Sequence, residues 1–177
     1  MNDIVFAIDP GSIKTGWAVL ESPDRLIEAG LLLPDKRAAA AEFRIDSMCQ
    51  DLLQLLDKHR PETILIEWTS GHVGHKRHHG GGAGLAIYGI SVGALWREVI
   101  NWRRSLPTND GIEVEIILVP ENKWTRSVPK VDRQAAIADI FPEYQIKQDT
   151  GGDIADALGL AIWYLRRKII NLVEAIK

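Results

Sequence analysis

Cysteine is nearly absent: Cys49 stands alone in 177 residues. A disulfide framework and a cysteine-built zinc site within one chain are thereby excluded. Long apolar runs are missing too. The longest uncharged stretch, Gly80 to Trp96, has 17 residues, six of them glycine, too short and too glycine-rich for a membrane span. No charged-then-apolar leader opens the chain. A soluble protein of the reducing cytoplasm is the expectation. No charge sign dominates either: 21 Lys and Arg against 24 Asp and Glu leave a formal net charge of −3. That excludes a generally basic nucleic-acid coat but leaves local patches open. What is present is the balance of an ordinary globule, 46% hydrophobic and 25% charged. The length suits a single domain able to bury roughly two thirds of its unfolded surface.

The charge is unevenly spread. Residues 1–67 carry 7 basic and 12 acidic side chains, whereas residues 68–177 carry 14 basic and 12 acidic. An acidic half beside a cationic belt suits a nuclease, in which carboxylates hold metal and basic loops hold phosphate. A solvated surface with chance asymmetry is the plain alternative.

Hydrophobic periodicity orders the chain. Strands are predicted over Asn2 to Asp9, Thr15 to Leu20, Leu26 to Leu33, Thr63 to Glu67 and Ile112 to Val119. Helices are predicted over Arg37 to His59, Leu85 to Arg103, Val131 to Ile140 and Asp153 to Lys177, with a short helix after Pro120. Pro10-Gly11-Ser12 and Ser22-Pro23-Asp24 are turns. Gly71 to Gly84 is rich in glycine and histidine and reads as a mobile loop. No internal repeat or linker divides the chain. The order βββαβαβα predicts an α/β domain with one mixed five-stranded sheet flanked by helices.

Carboxylates fall where these elements end. Asp9 closes the first strand and Glu67 the fourth; Asp153 and Asp156 open the last helix on one face, at spacing i, i+3. Converging carboxylates raise one another's pKa unless a cation sits among them. Hard cations such as Mg²⁺ take such oxygen ligands, and two of them about 4 Å apart can drive phosphodiester hydrolysis. Taken singly, Asp9 reads equally as a strand-end turn cap, and Asp153 reads better as an N-cap. Glu67 has a weaker alternative, because TILIEW is otherwise apolar and a buried carboxylate needs a partner.

In chain order, AIDPGSIKTGWAVL, ILIEWTSG and GGDIADALGLAIWYL resemble the RuvC family of Holliday junction resolvases, within the RNase H-like superfamily. The resemblance spans nearly the whole chain. It implies an RNase H-like fold and places Asp9, Glu67, Asp153 and Asp156 at the family's four acidic metal-site positions. It further implies a homodimeric endonuclease that uses two Mg²⁺ ions, with Mn²⁺ able to substitute. The substrate class would be branched DNA, cut by paired nicks across a four-way junction to leave 5′-phosphate ends.

Two departures shift the expected DNA contacts. Trp68, itself a candidate DNA contact, follows Glu67 directly, and the Gly/His/Lys loop comes next, so the branch-point contact falls to Lys76, Arg77 and neighbouring His. The family's basic segment is replaced by PENKWTRSVPKVDRQAAI, in which Lys123, Arg126, Lys130 and Arg133 are its functional equivalents. Lys130 and Arg133, at i, i+3 near a helix start, are the better-placed pair. Lys14 reads as a phosphate contact beside Asp9 or as a solvated turn residue. Trp124 reads as a base-stacking platform or as a buried anchor. His72, His75, His78 and His79 fit no standard zinc spacing and suit a cationic loop on phosphates.

Gly89 and Gly93 lie one turn apart and permit close helix approach, either at a dimer interface, as the resemblance implies, or against the protein's own sheet. Trp96 and Trp102 are core candidates, and Cys49 a small buried hydrophobe. A broader endonuclease cutting flaps, and a silent branched-DNA-binding protein, are the competing functions. An actin-like ATPase, which needs a second nucleotide-binding domain, is not expected from 177 residues with no further glycine-rich phosphate motif.

Overall fold

The structure is a computed structural model that describes residues 4–35, 40–69, 81–107, 113–144 and 148–175. Five strands, β1 (Val5–Asp9), β2 (Thr15–Ser22), β3 (Arg25–Leu32), β4 (Thr63–Trp68) and β5 (Glu115–Pro120), form one sheet in the order β3-β2-β1-β4-β5. Short turns join β1, β2 and β3, so these pair antiparallel. β4 and β5 are each reached through a helix and pair parallel to their neighbours.

The helices are α1 (Ala41–His59), α2 (Gly81–Ser105), α3 (Glu121–Thr125), α4 (Lys130–Ile140) and α5 (Asp153–Ala175). α1 buries Ile45, Met48, Cys49, Leu52 and Leu56, the stripe its three- and four-residue spacing predicts. It ends at Arg60, which is left-handed (φ 46°) and donates its N–H to the Leu56 carbonyl. Pro61 has no N–H with which to continue the helix.

Period-two alternation splits the core between the two sheet faces. Phe6, Ile8, Trp17, Val19, Ile64 and Ile66 pack under α1 and α2, with Leu52, Leu56, Leu95, Val99 and Trp102. Val5, Ala7, Ala18, Leu20, Leu65 and Val119 pack under α5, against Ala155, Leu158, Ala161, Ile162 and Leu165. Trp102 also ties the two helices of its layer together, its Nε1–H donating to Asp57 Oδ1 at 2.9 Å.

Several boundaries differ from the pattern by one to four residues, among them the start of β5 at Glu115 rather than Ile112. α1 is described from Ala41; residues 36–39 of its expected first turn lie outside the described residues. α2 starts at Gly81, four residues before the predicted Leu85. Each glycine costs a helix roughly 1 kcal/mol relative to alanine, which is why this run reads locally as loop. The rest of the expected Gly/His loop, 71–80, lies outside the described residues. Among the described residues, no helix is long and apolar enough to cross a membrane.

Candidate active site

Strand parity builds the site. Val5 and Ala7 of β1, Ala18 of β2 and Leu65 of β4 all face α5. The next positions of that parity are Asp9, Gly16 and Glu67. Parallel pairing of Ile8 with Ile66 puts Asp9 and Glu67 on adjacent strand ends. Gly16 lies opposite Asp9 on the other side. A Cβ at Gly16 would overlap the carbonyl oxygen of Asp153, so the first turn of α5 rests directly on β2. That contact carries Asp153 and Asp156 to Asp9.

Asp149, passed over in the sequence, anchors this turn. It is fully buried and accepts the backbone N–H groups of Asp153 (2.9 Å) and Ala155 (3.0 Å). It also accepts the Tyr144 hydroxyl at 2.7 Å. Asp149 therefore satisfies the free amides of the helix start, and the N-cap alternative for Asp153 does not hold. The local signal was present: an acidic residue just before Gly151-Gly152 and an apolar helix. Gly152 is left-handed (φ 69°) in that turn.

The four carboxylates share one electrostatic neighbourhood. Burial, then Glu67 and Asp156, hold Asp9 well above the usual carboxylate range. Burial, then Asp156, push Glu67 up to about 7, against a lowering hydrogen bond from Trp124. Asp153 goes the other way: burial opposes its charge, but hydrogen bonds from Lys14 and Lys130 outweigh burial and lower it. Two further residues reach this field. Tyr88 of α2 is raised by burial and by Glu67 and Asp9, and Glu121 of α3 adds to the negative charge around Glu67. Neither carries a sequence signal, because only packing brings α2 and α3 to these strand ends.

Three cations expected on phosphate pair with the carboxylates. Lys14 pairs with Asp153 at 2.6 Å. Lys130 bridges Asp153 at 3.0 Å and Asp156 at 2.8 Å. Arg133 donates to Asp156 Oδ1 at 2.8 Å and to the Val128 carbonyl at 2.6 Å. With side chains 29% and 39% exposed, Lys14 and Lys130 still open to solvent, whereas Arg133, at 14%, does not. Burial opposes the charge of Lys130 and Arg133, yet their pKa values are raised by Asp156 above all.

Trp124 corrects the base-stacking expectation. It is buried, and its Nε1–H donates to Glu67 Oε2 at 2.7 Å. The other candidates are scattered. Trp68 is exposed at the end of β4. Lys123 and Arg126 are exposed in and after α3. Arg126 lines a groove of about 520 Å³ with Trp163, Arg166 and Arg167 of α5, arginines that the sequence reading omitted. Lys76, Arg77 and the loop histidines lie outside the described residues. Among the described residues, a Cβ added at Gly89 or Gly93 meets nothing within 4 Å, so these glycines do not pack against the protein's own sheet.

Among the described residues, no three acidic, histidine or cysteine side chains close on one point at ligating distance. The oxygens of Asp153 and Asp156 face lysine and arginine, and Glu67 faces an indole. The donor set nonetheless suits a hard divalent cation: four carboxylates, two of them held back from ionising by burial and by each other.

The mixed sheet, its strand order and its flanking helices make this an RNase H-like fold. In sequence the chain is similar to RuvC proteins. It is 28% identical over 169 residues to the crossover junction endodeoxyribonuclease RuvC of Chlorobaculum parvum, covering 93% of this chain and 82% of that protein. It is 34% identical over 68 residues to RuvC of Azorhizobium caulinodans, covering 37% of this chain and 40% of that one. Thermus thermophilus RuvC, solved in complex with Holliday junction substrate, superposes with a TM-score of 0.68 at 18% identity, over 94% of this chain and 96% of that one. The yeast mitochondrial Holliday junction resolvase Ydc2 superposes at 0.54 with 13% identity, over 93% and 78%. No protein-family model matches the chain.

Proposed function

We propose that this chain is a structure-selective endonuclease that resolves four-way DNA junctions by paired phosphodiester hydrolysis, leaving 5′-phosphate ends. The observation that carries the reading is the meeting of Asp9, Glu67, Asp153 and Asp156 in one electrostatic neighbourhood at the ends of β1 and β4 and the start of α5. RuvC-like sequence along 93% of the chain supports it.

Asp9, Glu67, Asp153 and Asp156 would hold two divalent cations, Mg²⁺ or in its place Mn²⁺. When bound, such ions lower the pKa of water and stabilise the leaving 3′ oxygen. The chain's own residues do the rest. Lys14 and Lys130, partly open beside the carboxylates, turn from them to the scissile phosphate, and Arg133 keeps Asp156 in place. Lys123 and Arg126, with Arg166 and Arg167 along the adjoining groove, meet phosphates further along the DNA. Trp68, exposed at the strand end, stands where unpaired bases of a branch point would lie.

A homodimer would supply the second cut on a two-fold symmetric substrate. The outer face of α2 supports this: Leu85, Ile90 and Trp96 are exposed beside the open Gly89 and Gly93. The test is a titration of the purified protein against synthetic four-way, flap and linear duplex DNA, with and without Mg²⁺. Symmetric paired nicks on the four-way junction, only with Mg²⁺, are expected. Equal cutting of flaps would replace the resolvase by a broader nuclease, and binding without cutting would leave a silent branched-DNA-binding protein.

A further inference from the structure

The buried indole of Trp124 touches three elements that carry the site. Its N–H points at Glu67 Oε2, 2.7 Å away, on β4. One ring face carries the guanidinium of Arg133 from α4, with Cζ 5.2 Å from the ring centroid, and the same guanidinium holds Asp156 Oδ1 at 2.8 Å. The ring also presses on Gly159 of α5, where an added Cβ would lie 2.7 Å from Cζ3. Gly159 is i+3 from Asp156, on the same helix face. A plain hydrophobic anchor would need no N–H partner, and a buried indole N–H takes whatever acceptor packing offers. Here the acceptor is a site carboxylate, and the cation stacked on the ring belongs to a second one. The helix bearing Trp124 is followed by two consecutive left-handed residues, Arg126 (φ 47°) and Ser127 (φ 63°).

We propose that Trp124 is a positioning residue for the site. Its N–H fixes the Glu67 carboxylate and its ring face seats Arg133 on Asp156, so one side chain sets the relative placement of carboxylates from β4 and α5. The inference rests on the functional reading above. Outer partners of metal-holding carboxylates typically contribute about 10–100-fold in metal affinity or activity.

Trp124→Phe keeps an aromatic side chain at this position but removes the N–H. On the full chain, Mn²⁺ binding without DNA, followed by calorimetry, should weaken about tenfold. The kcat for four-way junction cleavage should fall by about the same factor. The KM, and junction binding in EDTA, should stay at the wild-type value, because no DNA-facing group changes. Gly159→Ala is the second variant. It displaces the ring from the opposite side and touches neither carboxylate, and it should weaken Mn²⁺ binding in the same way. A folded Trp124→Phe protein with wild-type Mn²⁺ affinity and kcat overturns the inference. A lower melting temperature with both quantities unchanged does so too, since that is the mark of a merely structural residue. Wild-type protein that neither binds Mn²⁺ nor cuts the junction overturns the functional reading and this inference together.

Discussion

At Glu67 two demands oppose each other. The residue lies one position from the end of an apolar strand and is buried, which disfavours its charge, yet it stands beside other carboxylates that need a cation among them. This conflict was legible in TILIEW, because a carboxylate closing a run of buried residues has few structural uses. Asp9, which taken singly reads equally as a turn cap, was legible only as a member of the set. Asp9→Asn keeps the shape of the side chain and removes its charge. Cleavage should fall by roughly three orders of magnitude while junction binding persists; substantial Mg²⁺-dependent cutting by the variant would contradict the assignment. Trp124 was not legible as a partner of Glu67. The two lie 57 positions apart, and a tryptophan in a basic polar stretch looks like a surface platform until α3 is packed against Gly159.

Among the elements, α5 and its seat on β2 decide whether a site exists at all. The helix start is held by Asp149 from inside and by the bare Cα of Gly16 from below. Gly16→Ala would drive a methyl group into the Asp153 carbonyl. Backbone on both sides leaves little room to relax, so a cost of about 3 kcal/mol is expected. For a chain of this size that lowers the melting temperature by roughly 6–12 °C. Calorimetry reads the stability, and cleavage should fall further than stability alone requires, since Asp153 and Asp156 shift together. A variant with wild-type melting temperature would show that the close seat is dispensable. In the sequence, Gly16 is part of an ordinary TGWAVL strand. Its role follows only from its pairing with Asp9 and from the helix packed over it.

At the scale of the whole molecule, pH and self-association are the accessible readouts. In metal-free protein Glu67 is raised from its ordinary 4.5 to about 7, and Asp9 is raised as well. Between those two Glu67 values the native state holds more protons than the unfolded chain. Stability contributed by the protonated carboxyl is therefore full below about pH 4.5 and is lost as pH rises through about 7. Melting temperature in EDTA should drop from pH 5 to about pH 7.5, and Mg²⁺ should restore it at the upper end, where the ionised carboxylates bind it best. A rise in melting temperature with pH under EDTA would reverse the sign and contradict the burial of these groups.

Self-association tests the open face of α2. A Cβ added at Gly93 meets nothing within 4 Å among the described residues, and Gly93→Leu removes a helix penalty of about 1 kcal/mol. The folded chain should be no less stable, yet a dimer seam built on close approach would be blocked. Sedimentation should report a monomer for the variant and a dimer for wild type. Dimers from both proteins would place the seam elsewhere.

Local spacing gave the order of elements and put the four carboxylates at or beside element ends. Apolar runs, helical spacing and turn residues act over a few positions, so they are visible in the chain itself. Packing alone decided the partners. Lys130 meets Asp153, 23 positions away, and Arg133 meets Asp156. Lys14 crosses from one end of the chain to the other to reach Asp153. These basic residues read as phosphate ligands because a positive side chain in isolation has no nearer claim. Once α4 and α5 close over the strand ends, the low-dielectric carboxylates are the stronger attraction, and the cations and the indole become part of the acidic site.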